Sequence, residues 1–93
     1  MGKVISAEEV SGTDKLLKLE VSLGAETRII VAGIRKYYSV EEVLGKKIVM
    51  VKNLQPVKLR GIESQGMLLA AVDKDNVVLL TLDKDITEGS KIQ

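Results

Sequence analysis

The sequence predicts an all-β domain, a small five-stranded barrel with one short helix between its third and fourth strands. Three observations lead there: apolar residues alternate with a period of two, glycine and Asp/Asn clusters interrupt them at short intervals, and a single helical signal falls midway along the chain.

Lys3 to Val10 supplies a first strand. Lys15 to Leu23 supplies the second, with Leu17, Leu19, Val21 and Leu23 on one face and Lys18, Glu20 and Ser22 on the other, the alternation of a half-buried strand. Gly24-Ala25-Glu26 can turn the chain, and the β-branched run Thr27 to Ile34 then completes a hairpin. Ser39-Val40-Glu41-Glu42 has the spacing of a capping box, in which the serine oxygen and the glutamate carboxylate each satisfy an orphan amide of the first helical turn. Gly45 closes the segment, so a helix is expected over Val40 to Leu44. Lys47 to Val51 reads as a fourth strand and Gly66 to Val72 as a fifth. A sixth, Val77 to Leu82, follows the turn Asp73-Lys74-Asp75-Asn76. Three strands, a helix and further strands is the order of the oligonucleotide/oligosaccharide-binding (OB) fold, a Greek-key barrel. Periodicity alone also allows a β-sandwich.

The chain has 93 residues, 45% hydrophobic and 29% charged, a globular rather than a disordered composition. With no repeat, no low-complexity tract and one proline, Pro56, there is no domain boundary to place, and residues 1–93 are expected to form one unit. Cysteine and histidine are both absent, which excludes disulfides and thiolate metal sites and removes the commonest general base. No metal and no cofactor are expected. Glu41 and Glu42 adjoin a helix start, and Asp73 and Asp75 lie in a turn. None of these carboxylates is in the buried, paired setting that raises a pKa for acid–base work. No apolar run is long enough to cross a membrane, and MGKVISAEEV lacks the pattern of a signal peptide, so a cytoplasmic location is expected.

The net charge of +1 conceals a division. Residues 28–60 carry eight basic and two acidic side chains, against three and five before them and three and six after. Lys46, Lys47, Lys52, Lys58 and Arg60 follow one another without an intervening carboxylate. Such a run can neutralise phosphates if the fold gathers it on one face, or can consist of solvated lysines that protect strand edges. The only aromatic residues, Tyr37 and Tyr38, are too few for binding by many stacked bases. Recognition of a folded RNA by backbone and shape remains open to this composition.

The stretch KLRGIESQGM combines the groups such recognition needs. Lys58 and Lys52 are point charges, and Arg60 is a planar fork suited to phosphate or a base edge. Asn53, Ser64 and Gln65 can hydrogen-bond to ribose or base edges, while Gly61 and Gly66 permit close backbone approach. By residue type alone Met67 fits core filling, and Asn53 fits a turn.

The segments Asp14-Lys15-Leu16, IVAGI (30–34), KYYS (36–39) and NLQPVKLRGIESQGMLLAA (53–71) together resemble the tRNA-binding domain family. This OB-fold module occurs in methionyl-tRNA synthetases, stand-alone structure-specific tRNA-binding proteins and endothelial-monocyte-activating polypeptide II. The resemblance covers nearly the whole chain. It implies non-catalytic binding of tRNA by its tertiary form, association with methionyl-tRNA synthetase, and a homodimer. It places Asn53, Lys58, Arg60, Ser64, Gln65 and Met67 at the RNA-binding face, with Lys36 and Lys15 as nearby phosphate partners. Where the family usually has a histidine-proline-asparagine segment, this chain has Val10-Ser11-Gly12-Thr13, and it begins near GKV, where family members generally carry a further strand and helix turn.

Two other functional classes fit the same residues. A relative of the fold serves bacterial protein export as a dimeric chaperone for unfolded peptides, and the apolar strands here would suit that task. An assembly module would instead require an exposed apolar patch and a stable oligomer.

Overall fold

The computed structural model describes residues 1–52 and 54–93. Three long antiparallel strands, β1 (Gly2–Glu9), β2 (Leu17–Ser22) and β3 (Thr27–Ala32), form a meander. A single helical turn, α1 (Val40–Val43), precedes the short strands β4 (Lys47–Ile48) and β5 (Met50–Val51). Then come β6 (Val57–Leu59), β7 (Ile62–Ser64), β8 (Met67–Leu68), β9 (Ala70–Asp73) and β10 (Asn76–Leu79). The architecture is all-β and OB-like.

β1 is the shared strand, pairing with β2 on one side and β4 on the other, so that the sheet runs β3-β2-β1-β4. It curls because its register to β2 shifts between Val4 and Ser6, and a bulge of this kind bends a strand and increases its twist. Val49 separates β4 from β5 and its carbonyl accepts from Leu69 N at 2.9 Å; β5 in turn pairs with β8, so the curled sheet continues. Gly2 is required where β1 crosses β2, since a Cβ there would lie 2.3 Å from Val21 Cγ1.

The period of two on β2 does what it predicts. Leu17, Leu19 and Val21 are fully buried, and Lys18, Glu20 and Ser22 are only partly so. With Val4, Ile30, Val43 and Ile48 they form the core, each such side chain contributing about 1.5–3 kcal/mol through removal from water. The capping box forms: Ser39 Oγ accepts from Glu42 N at 3.1 Å and Glu42 Oε1 from Ser39 N at 3.0 Å. Tyr38 packs against the core, and its hydroxyl accepts from Leu79 N at 3.1 Å, tying β10 to the helix start.

The outer edge of β3 is closed largely by side chains. Val31 N donates to Ser64 Oγ at 3.0 Å, and Ser64 Oγ donates onward to Gly66 O at 3.0 Å. Ile29 N donates to Gln65 Oε1 at 3.0 Å, while Gln65 N donates to Ile29 O at 2.7 Å. A hydroxyl and an amide thus occupy positions where a regular ladder would have carbonyls, and β3 keeps its edge donors satisfied.

Several expectations change: Lys47–Val51 divides at Val49, and the last strand is Asn76–Leu79 rather than Val77–Leu82. Gly66 to Val72 is not one strand: it divides at Leu69 into β8 and β9, because Leu69 turns its backbone from β5 toward Leu80, whose N–H it accepts at 3.1 Å. The segment Val57–Ser64, to which the sequence assigns no strand, forms a β-hairpin. Among the described residues no helix is long and apolar enough to cross a membrane.

Ser64 is 4% exposed, so Ser64→Ala would leave the Val31 amide buried without its acceptor. The expected loss is about 1–3 kcal/mol of stability, read from the urea midpoint; an unchanged midpoint would show that the seam contributes little.

Candidate nucleic-acid interface

Of the basic run Lys46, Lys47, Lys52, Lys58 and Arg60, the β6–β7 hairpin presents the last two. Val57, Lys58 and Leu59 pair with Ser64, Glu63 and Ile62, leaving Arg60 and Gly61 as its tip. Both tip residues have positive φ, 53° and 81°, the combination a type I′ turn requires because its twist matches that of the flanking strands. Glycine takes this conformation freely. Arginine does so at a cost of about 1–2 kcal/mol, since Cβ approaches the following carbonyl. The hairpin therefore holds a long cation at its apex where Asn or Gly would be easier.

Register sets the direction of that apex. Gln65 lies against Ile29 and Ser64 against Val31, so the preceding residues run past the C-terminal end of β3. At that same end Arg35 N donates to Lys15 O at 3.1 Å, which brings the β1–β2 loop against the segment leading to α1. Lys15 and Lys36 are both exposed there. In OB folds the loops after the first and fourth barrel strands flank the ligand face, and Lys15 and the hairpin occupy those two connections.

Ion pairing separates the cations by task. Among the described residues, Lys18 pairs with Glu8, Arg28 and Lys52 with Glu26, Arg35 with Glu9, and Lys47 with Asp85. Arg35 also donates to Thr13 O, fixing the loop that carries Lys15. Lys15, Lys36, Lys58 and Arg60 take part in none of these pairs, although Lys58 stands directly across the hairpin from Glu63.

The remaining sequence-derived candidates are placed elsewhere. Ser64 and Gln65, read as ribose or base partners, have side-chain oxygens engaged in closing β3, which gives them a structural task. Met67 is half-buried and packs against the core. Lys52 lies at the hairpin's base beside the Glu26 turn, 3.9 Å from its carboxylate and away from the tip. Asn53 lies outside the described residues. Gly66 has φ 151°, and a Cβ there would lie 2.7 Å from Val51 O, so this glycine serves strand approach within the barrel. Arg28, which no local pattern singles out, donates to both Lys52 O and Gln65 O.

Away from the hairpin tip, a concavity of about 780 Å³ opens over Leu23, Val49, Met50, Val51, Leu69 and Ile92. The chain ends border it: Gly89 N donates to Met1 O at 2.8 Å, and the Met1 ammonium to Ser90 O. Among the described residues no three carboxylates gather as a metal site would require.

A family model described as "Putative tRNA binding domain" matches residues 1–91. A methionine–tRNA ligase of Caldanaerobacter subterraneus is 59% identical over 92 residues, covering 99% of this chain and 14% of that ligase, so the chain corresponds to only a small part of such a protein. Among solved structures, a MetRS-related protein from Pyrococcus horikoshii superposes with a TM-score of 0.93 at 42% identity, covering 99% of this chain and 85% of that one. The chaperone CsaA of Bacillus anthracis superposes with a TM-score of 0.90 at 32% identity, covering 99% and 86%.

Replacing the strained tip residue tests the turn assignment. Arg60→Asn should raise stability by about 0.5–1 kcal/mol, measured from the urea midpoint, because asparagine tolerates the left-handed region. A loss of stability would mean that the arginine side chain itself braces the hairpin.

Proposed function

This chain belongs to the tRNA-binding domain family, and from that premise we propose that it is a non-catalytic, structure-specific tRNA-binding module whose RNA-contacting edge is the tip of the β6–β7 hairpin. One observation carries the choice of edge: Arg60 is held in a left-handed conformation at the apex, exposed and outside every ion pair among the described residues. Backbone strain of this kind persists where the surrounding structure and the function require it.

Arg60 offers its fork of donors to a phosphate or base edge, and Lys58 adds a point charge beside it. Lys15 and Lys36 extend the cationic surface along the adjoining loops, with Lys52 at its margin; Asn53, by its residue type, is proposed as a hydrogen-bonding partner for ribose or a base edge. With Tyr37 the one exposed aromatic residue, the surface reads the path of a folded sugar-phosphate backbone rather than a row of stacked bases. In our reading the 93 residues act as a single cytoplasmic domain, free-standing or joined to methionyl-tRNA synthetase, and raise that enzyme's effective affinity for tRNA by tethering. A homodimer belongs to the same proposal, and the exposed Val78 of β10, which shares a face with Ala71, offers apolar area for it.

A second reading, a chaperone for unfolded peptides, is favoured by the apolar concavity over Met50 and Leu69 and by the likeness to CsaA. It requires that the protein suppress aggregation of an unfolded client. Absence of suppression at stoichiometric amounts would remove it.

Binding of bulk tRNA and of an unstructured RNA of equal length, titrated across a salt series, tests the leading proposal. Folded tRNA should bind more tightly, and failure to bind tRNA at low salt would end the proposal. Arg60→Ala should weaken tRNA binding by about 1–3 kcal/mol without unfolding the domain. Lys58→Ala should weaken all RNAs alike and reduce the magnitude of the salt slope by about one.

A further inference from the structure

The hairpin that presents Arg60 has only two short strands, and an isolated two-stranded hairpin is marginally stable in water. Something must fix it to the barrel. On the returning side Ser64 and Gln65 bond to β3, as described above. On the outgoing side, among the described residues, Lys52 is joined to β3 by a hydrogen bond from Arg28, with a looser 3.9 Å ion pair from its ammonium to Glu26 beside it.

Arg28 lies on β3 opposite Val21, with its side chain 26% exposed. Its Nη1 donates to Lys52 O at 2.8 Å and to Gln65 O at 3.1 Å. Lys52 and Gln65 flank the segment 53–64, so a single planar group joins both ends of the excursion that carries Lys58 and Arg60. Nε donates to Glu26 Oε1 at 3.3 Å, which fixes the plane of the guanidinium and neutralises it in place. Arg28 is thus committed within the protein, unlike the cations at the tip.

We propose that Arg28 is a positioning residue: it clamps the base of the 53–64 excursion so that the cationic tip is held ready, and touches no RNA itself. The proposal rests on the RNA-binding reading for its consequence and on geometry alone for the clamp. Lysine cannot replace it, because an ammonium has no planar fork with which to hold two carbonyls and a carboxylate together. Without the clamp, the hairpin must be ordered when RNA binds, and that ordering reduces affinity.

Arg28→Met and Arg28→Lys, each studied by amide hydrogen exchange and by tRNA titration, test this. Both variants should speed exchange of the hairpin amides of 57–64 about tenfold, with the β1–β2 amides as protected as before. Both should weaken tRNA binding by about tenfold, and Arg60→Ala should lose part of its effect in the Arg28→Met background, because the two residues act as a unit. Unchanged hairpin exchange would overturn the clamp. Normal affinity in Arg28→Lys, with Arg60→Ala fully additive to Arg28→Met, would overturn it in favour of a direct phosphate contact. Loss of protection throughout the protein in both variants would also overturn it, making Arg28 a determinant of the whole fold. Faster hairpin exchange together with a wild-type protein that binds no tRNA would uphold the clamp and retire the proposed function.

Discussion

The rest of the structure depends on how the open edge of β3 is closed. A barrel this small cannot leave the Ile29 and Val31 amides facing an apolar interior or an unpaired edge, since an orphaned buried donor costs about 1–3 kcal/mol. A regular strand would have satisfied them with carbonyls. Here Ser64 Oγ and Gln65 Oε1 accept instead, and the chain is freed from strict ladder geometry at that seam. That freedom lets the preceding residues leave the barrel as a hairpin projecting past the end of β3. Core packing, strand closure and presentation of the cationic tip therefore meet in two adjacent polar residues.

Charge follows the same logic. Exposed ion pairs stabilise by no more than about 1 kcal/mol each, so the pairs of Lys18, Arg35 and Lys47 matter less as sources of stability than as neutralisers of charge around the barrel wall. Among the described residues, Lys15, Lys36, Lys58 and Arg60 are in none of the ion pairs, on a protein whose net charge is only +1. Electrostatic attraction of a polyanion can then be directional even though the molecule as a whole is nearly neutral.

Much of the fold is legible in the sequence because it is written in local periods. The alternation of Leu17, Leu19 and Val21, the turn at Gly24 and the Ser39–Glu42 box each refer to residues a few positions away, and all three form. The hairpin Val57–Ser64 is not legible for a physical reason: its strands are three residues each, too short for a period to establish itself, and its turn carries arginine where Asn-Gly would be the usual signal. The tasks of Ser64 and Gln65 are hidden in another way. Their partners Val31 and Ile29 are more than thirty residues distant, and nothing local distinguishes a polar residue that closes a barrel from one that meets a ligand. Residue type points Met67 toward core packing, and its half-buried side chain does pack against the core.

The central claim is that the hairpin tip, and not the apolar concavity, is where this protein meets RNA. Amide chemical-shift mapping of the labelled protein during titration with tRNA tests it most directly. Perturbations should concentrate at Arg60 and Gly61 and spread to Lys15 and Lys36, with the residues around Met50, Leu69 and Ile92 unmoved. Perturbations centred on that concavity, with a silent hairpin tip, would contradict it.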